Sequence, residues 1–145
     1  MKETHYRKLE RMYLSANFNE ALYPSTTAHF GEGHAEIGLT IGPQYFHALG
    51  AIHGSVYFKL LDDAAFFAVN SLVTDVFVLT TNFNINLIRP ASKGQLKAVG
   101  TARYSSRNLF IAESALYNEE GKEIAFGTGH FMKSKVALTE EIGYK

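Results

Sequence analysis

Two adjacent carboxylates, Asp62 and Asp63, stand inside the run Gly50–Asn70, which reads GAIHGSVYFKLLDDAAFFAVN and is otherwise almost wholly apolar. The run has the length of a helix, and a helix that is apolar on every side belongs in an interior. An ionised carboxylate is costly there unless it is paired or put to use. Lys59 precedes Asp62 by three residues and Asp63 by four, so either acid can pair with it across one helical turn. One lysine does not easily neutralise two buried acids. The remaining carboxylate is either solvated or hydrogen-bonded at an edge, or it faces a substrate cleft. In the second case, burial beside Phe58 and Phe66 raises its pKa and makes it a better base or nucleophile.

The start of the same helix offers a second chemical group. The first backbone N–H groups of a helix lack internal partners and carry the positive end of the macrodipole. Gly54 lets a ligand approach that backbone closely because it has no Cβ. A carbonyl oxygen placed there would be polarised, and a developing oxyanion held. The alternative is that His53-Gly54 is only a tight entry into the helix. Ser55 is the expected N-cap, its hydroxyl accepting a free N–H.

Other chemistries find little support. The six histidines, His5, His29, His34, His47, His53 and His130, show neither H-x-x-x-H nor H-E-x-x-H spacing, so no metal site is expected. The absence of cysteine excludes disulfides and thiolate catalysis. No G-x-S-x-G supports a serine triad. Fourteen basic residues balance fourteen acidic ones, which argues against a nucleic-acid-binding surface and is compatible with self-association. The first residues carry charges with no apolar stretch behind them, so no signal peptide is expected, and Lys59, Asp62 and Asp63 interrupt the longest apolar run. A cytoplasmic protein with no membrane partner is the expectation.

These groups need elements to hold them. The chain has 145 residues, 46% apolar and 19% charged, without repeats or low-complexity linkers, so a single domain over 1–145 is expected. Tyr6, Leu9, Met12 and Tyr13 recur at helical spacing within a short amphipathic helix over residues 3–16. Thr26–Phe30 and Ala35–Ile41 flank Gly31-Glu32-Gly33 as a hairpin. The long helix begins near Gly54 or Ser55 and runs to about Ser71. Val76–Leu87 is rich in β-branched and aromatic residues and ends in alternation, Phe83, Ile85 and Leu87 facing one way and Asn82, Asn84 and Asn86 the other. Gln95–Tyr104, Leu109–Tyr117 and Glu123–Lys133 read as three further strands. Short links between successive strands predict antiparallel pairing. One buried helix against an antiparallel sheet is an α+β layer architecture, and its exposed sheet edges favour dimerisation by edge-to-edge pairing.

The stretch HALGAIHGSVYFKLLDD from His47, with NFNINLIRPASKG from Asn82, resembles the hotdog-fold acyl-CoA thioesterases of the 4-hydroxybenzoyl-CoA thioesterase superfamily. Within them it is similar to the phenylacetate-pathway type, whose signature N-x-x-G-x-x-H-G-G is followed by an aspartate nine residues after the histidine. Nine residues after His53 stands Asp62. The resemblance spans roughly residues 25–135. It implies a hotdog fold, in which one long helix is wrapped by a curved antiparallel sheet of about six strands. It implies hydrolysis of an acyl-CoA thioester to the free acid and coenzyme A, with no separate cofactor. Asp62 then corresponds to the nucleophile or general base and Gly54 to the oxyanion donor. His53 shapes the turn, and Thr80 helps position the attacking water. Aspartate and oxyanion donor come from different subunits in such enzymes, which implies a homodimer with shared sites, and paired dimers a homotetramer. The chain departs from the signature at two positions, with His47 in place of the asparagine and Ser55 in place of the second glycine. His47 can donate a hydrogen bond to the carbonyl instead. Arg89, Lys93, Arg107 and Asn108 are the candidates for the nucleotide end of coenzyme A, and Ser55 and Asn82 are further substrate-binding candidates. Phe58, Leu61, Phe66 and Phe83 are the candidates for the acyl end. The departures keep open a non-catalytic acyl-CoA binder or sensor on the same fold, and a hotdog enoyl-CoA hydratase or dehydratase is the enzymatic rival.

Overall fold

The structure, a computed structural model, describes residues 2–145. Its centre is a helix, α3 (Gly54–Asn70), from which eleven side chains are buried. The backbone of the sheet comes close beneath it. A Cβ added at Gly100 would collide with the carbonyl of Ala64 and the nitrogen of Ala65, so only glycine permits that approach. Ser114 Oγ donates to the carbonyl of Leu61 at 2.8 Å, a polar pin across the same interface. Ser55 is not the cap of this helix. His53 is the N-cap, its Nδ1 accepting from Ser55 N at 3.1 Å, because its extended backbone aims the ring at the first free N–H groups.

The sheet has six antiparallel strands: β1 (Thr27–Gly31), β2 (His34–Thr40), β3 (Val76–Leu87), β4 (Gln95–Ser105), β5 (Phe110–Tyr117) and β6 (Glu123–Ala137). Their order is β1-β2-β4-β5-β6-β3. Pairing of neighbours in sequence therefore holds for β1–β2, β4–β5 and β5–β6 but fails for β3 and β4. The helix delivers the chain from β2 to the far edge, where β3 pairs with β6, and residues 88–94 cross back so that β4 pairs with β2. The reading of an α+β domain with one long helix against six antiparallel strands is correct.

The strand β3 contains an irregularity that alternation alone does not reveal. Leu79 pairs with Met132, Thr80 with Phe131, and Asn82 with His130, leaving Thr81 as an extra, unpaired residue. Phe83, Ile85 and their partners Gly129 and Gly127 face the helix, while Asn82, Asn84 and Asn86 face outward. Running that alternation back without the bulge would turn Thr81 inward and Thr80 outward. The bulge reverses the phase and turns Thr80 toward α3.

The N-terminal region holds two helices where the sequence suggests one, α1 (Lys2–Ser15) and α2 (Asn17–Leu22). The break is stabilised by Asn19, buried, whose amide donates to the carbonyl of Tyr13 at 2.7 Å. Tyr6, Leu9, Met12 and Tyr13 are buried as the helical spacing predicts. His5 is buried as well. Its Nε2 lies 2.9 Å from the carbonyl of Asn70 at the end of α3, and its Nδ1 lies 2.7 Å from the Tyr144 hydroxyl. An Nε2–H tautomer, donating to Asn70 and accepting from Tyr144, satisfies both. It thereby ties α1, α3 and the C-terminal segment together. Among the described residues no helix is long and apolar enough to cross a membrane.

Candidate active site

The two carboxylates have different surroundings. Asp63 Oδ2 accepts from Lys59 Nζ at 2.6 Å and from the Tyr13 hydroxyl at 2.7 Å, and Lys59 Nζ also lies 3.2 Å from that hydroxyl. Lys59 is nearly inaccessible to solvent and sits against the rings of Tyr13, Phe18 and Tyr23. Asp63 is thus the partner of Lys59, one of the two pairings that the helical spacing allows. Asp62 has no cation of its own. Its Oδ1 accepts from Thr80 Oγ1 at 2.8 Å, a bond that exists because the bulge at Thr81 turns Thr80 inward. Burial pushes the Asp62 carboxyl up from 3.8 to about 6, the Thr80 bond opposing that rise. Burial likewise pushes the Tyr13 hydroxyl well up, with the Asp63 charge adding to it.

Asp62 opens on a cleft of about 600 Å³. Phe66, Phe67 and Phe77 form its apolar floor, and Lys59, Asp63 and Tyr13 form one polar wall. Met12 and Phe18 from the N-terminal helices, Val136 from β6 and Ile142 from the C-terminal segment close its sides. Of the aromatic and aliphatic candidates for the acyl end, Phe66 lines this cleft. Leu61 is fully buried in the core instead, because its position on α3 points at the sheet. Phe58 is exposed and meets Phe83 edge-on at 5.6 Å.

The helix start lies elsewhere. Gly54, His47, Tyr57, Leu87 and Arg89 line a separate cleft of about 330 Å³. A Cβ added at Gly54 would meet only Leu87 Cδ1, at the ordinary distance of 3.5 Å, so the space over its backbone is open to a ligand. His47 is exposed and its Nδ1 accepts from Leu49 N at 3.1 Å, which leaves Nε2–H as the free donor when the ring is neutral. The Ser55 hydroxyl is bonded to His53 Nδ1 at 2.8 Å. Eight residues at 1.5 Å rise separate Gly54 from Asp62 by about 12 Å along α3. One chain therefore does not bring the oxyanion donor and the carboxylate to the same reacting atom.

A family model described as "Thioesterase superfamily" matches residues 49–125, more than half of the chain, from just before the helix entry through β5. The chain belongs to the thioesterase superfamily. Among solved structures, the PaaI protein from the phenylacetic acid degradation operon of E. coli superposes with a TM-score of 0.84 at 21% identity, over 95% of this chain and 99% of that one. A conserved protein of Pseudomonas aeruginosa, PA5202, gives a TM-score of 0.78 at 24% identity over 86% and 98%. Thioesterase HI1161 of Haemophilus influenzae gives 0.74 at 20% identity over 85% and 87%. At these identities the likeness is one of fold. It agrees with the hotdog architecture that the motif resemblance implies. Among curated protein sequences there is no significant match.

For a thioesterase-superfamily chain the remaining candidates distribute unevenly. Arg89 follows β3 at the Gly54 end, while Arg107 and Asn108 lie in the β4–β5 turn, exposed, beside the pair Ser105–Phe110. Phe110 is in register with Phe131 and hence with Thr80, so about seven strand positions, or roughly 20 Å, separate the two ends. Arg89 and Arg107 do not form one basic patch within a chain. Lys93 lines a shallow hollow with Pro90 and Glu119. Asn82 does not join the Asp62 cleft, because its side chain is on the outward face of β3 opposite His130. The residues that sequence reasoning missed are Tyr13 and the cleft walls from both termini. Their contacts with α3 span more than forty residues, as between Phe18 and Lys59, and no local spacing reports them.

Proposed function

We propose that this protein hydrolyses acyl-CoA thioesters, with Asp62 of one protomer and the helix start at Gly54 of a second protomer completing each site. The observation that carries the reading is the separation of two open half-sites. A carboxylate with a raised pKa faces one cleft, and an unobstructed helix N-terminus faces another about 12 Å away along the same helix. A two-fold arrangement that pairs each half-site with its complement satisfies both. The exposed outer edge of β3 and the exposed Phe58 beside it are where such a partner fits.

In this reading the thioester carbonyl oxygen sits on the Gly54 N–H, with His47 Nε2–H as an additional donor. A water held by Asp62 and Thr80 attacks the carbonyl carbon while Asp62 takes its proton. The carbon–sulfur bond breaks, and the thiolate leaves with a proton returned from the carboxyl. Direct attack by Asp62, followed by hydrolysis of the mixed anhydride, gives the same products. The apolar floor around Phe66 and Phe77 takes the acyl group. Arg89, adjacent to the Gly54 cleft, is the basic side chain best placed for a coenzyme A phosphate.

The test is thiol release from a panel of short, long and aromatic acyl-CoAs by wild type and Asp62→Asn. Hydrolysis by wild type that falls roughly 10²–10⁴-fold in the variant is expected. Hydrolysis that survives the substitution refutes the assignment. Tight acyl-CoA binding without thiol release refutes it in favour of a binding protein.

A further inference from the structure

The motif resemblance gives Asp63 and Tyr13 no role, yet they form a built cluster beside Asp62. Lys59 stands three residues before Asp62 on α3 and four before Asp63, so both carboxylates are within reach of its ammonium. A lysine salt-bridged to a catalytic carboxylate holds it ionised but ties up its oxygens, weakening it as a base. In the structure the ammonium is turned away. It is bonded to Asp63 Oδ2 at 2.6 Å and lies 3.2 Å from the Tyr13 hydroxyl, which itself donates to the same carboxylate oxygen at 2.7 Å. Its other side is covered by the rings of Tyr23 at 4.5 Å, Tyr13 at 5.1 Å and Phe18 at 5.6 Å. Asp62 is left with the neutral hydroxyl of Thr80.

We infer that Asp63, braced by Tyr13, is a positioning residue that holds Lys59 off Asp62 and so keeps the neighbouring carboxylate free for chemistry. The inference rests on the reading of Asp62 as the base or nucleophile. The charged and titratable groups that act on Asp62 are few and all belong to this device. Lys59 and Asp63 come from its own helix, and Tyr13 comes from α1. From β3 comes the uncharged Thr80, from β6 the apolar Val136 and from the C-terminal segment the apolar Ile142. The inward faces of β4 and β5, beneath α3, carry no charged side chain. No other cation competes for Asp62, so the fate of Lys59 decides its state. The pair is also inexpensive to remove as a whole, since replacing both partners of a buried ion pair by neutral groups is often close to neutral for stability.

The experiment follows ionisation of the Asp62 carboxyl by carbon NMR on the intact protein without substrate, in wild type, Lys59→Met, Asp63→Asn and the double variant. In the Asp63→Asn background Lys59 is released to Asp62. Replacing it with methionine there raises the Asp62 midpoint by at least about one pH unit. In the wild-type background, where Lys59 is already held, the same replacement raises it by less than about half as much. Equal increments in the two backgrounds, or an Asp62 midpoint that does not fall in Asp63→Asn, overturn the inference. Asp63→Ser takes the place of the asparagine variant in the same cycle if that variant does not fold. Because the titration needs no turnover, failure of the tether and failure of the thioesterase reading are separate results. An unchanged titration with Asp62→Asn inactive removes only the tether, and a shifted titration without thiol release removes only the activity.

Discussion

Replacing Asp62 with asparagine is expected to stabilise the protein at neutral pH while abolishing turnover. Burial raises the Asp62 carboxyl from 3.8 to about 6, so the native state disfavours the charge it carries at pH 7.5. The span from 3.8 to about 6 corresponds to about 3 kcal/mol at 1.36 kcal/mol per pH unit. Asp62 is only partly buried, and the asparagine amide must itself be accommodated beside Thr80, which reduces the expected gain to about 1–2 kcal/mol. The sign follows from proton counting. Between the unfolded and folded midpoints the native state holds a proton that the unfolded chain has released, so wild-type stability falls as pH rises through that window and is level above it. The advantage of Asp62→Asn is therefore absent near pH 3.8, grows to about pH 6 and then stays constant. Thermal or urea unfolding at matched protomer concentration reads it. The gain corresponds to roughly 3–6 °C in Tm at pH 7.5 and vanishes in the acid limb. A variant less stable than wild type at pH 7.5, or one whose gain is the same at pH 4 and pH 7.5, refutes the reasoning.

Thr80→Val keeps the shape of the side chain and removes the hydroxyl that holds the Asp62 carboxyl down, so the acid limb of the kcat/KM profile, expected near pH 6 in wild type, moves to higher pH; a limb that stays or moves to lower pH contradicts this. Gly54→Ala keeps the fold but places a methyl group over the helix start. Mixed with Asp62→Asn, itself inactive, it should regain thiol release through hybrid dimers that carry one intact site, and thiol assays of refolded mixtures that show no recovery argue against a shared site. Gly100→Ala forces β4 away from the backbone of α3 and should cost about 3 kcal/mol or more, measured as a fall in the urea midpoint; a neutral effect would mean that the helix can lift without penalty.

Most of the elements are legible in the sequence because each rests on local pattern. The apolar run of α3, the alternation from Asn82 to Leu87 and the turn at Gly31–Gly33 each report their own conformation. What is not legible is set by contacts over long separations. Nothing within residues 88–94 announces that the chain crosses back over the sheet, since a seven-residue link is equally suited to a hairpin. Propensity favours Ser55 as the cap, whereas the choice of His53 depends on its extended backbone, which tertiary contacts impose. The motif resemblance singles out Asp62 through its spacing from His53, whereas helical geometry leaves Lys59 within reach of either acid, and Asp63 follows as its partner only once Asp62 is set aside. The Thr80–Asp62 bond could not be derived from alternation, because the bulge at Thr81 is recorded only in the register with β6. Tyr13 reads as one more core position of an amphipathic helix, and its hydroxyl becomes meaningful only when α1 is laid against α3.

The close approach at Gly100 divides the Asp62 cleft into parts with different freedom to vary. Where backbone rests on backbone, α3 has no side-chain layer to trim or enlarge, so its height over the sheet is fixed. Asp62, Thr80, Phe66 and Phe67 inherit that fixed frame. Met12, Phe18 and Ile142, on the other side of the cleft, belong to segments outside the sheet, and Val136 stands next to the last residue of β6. Exchanges at those four positions would change the volume and outline of the cleft without disturbing the carboxylate. The fold thus separates the apparatus of reaction, set by the contact of α3 with the sheet, from the apparatus of selection, set by the two ends of the chain and the tip of β6.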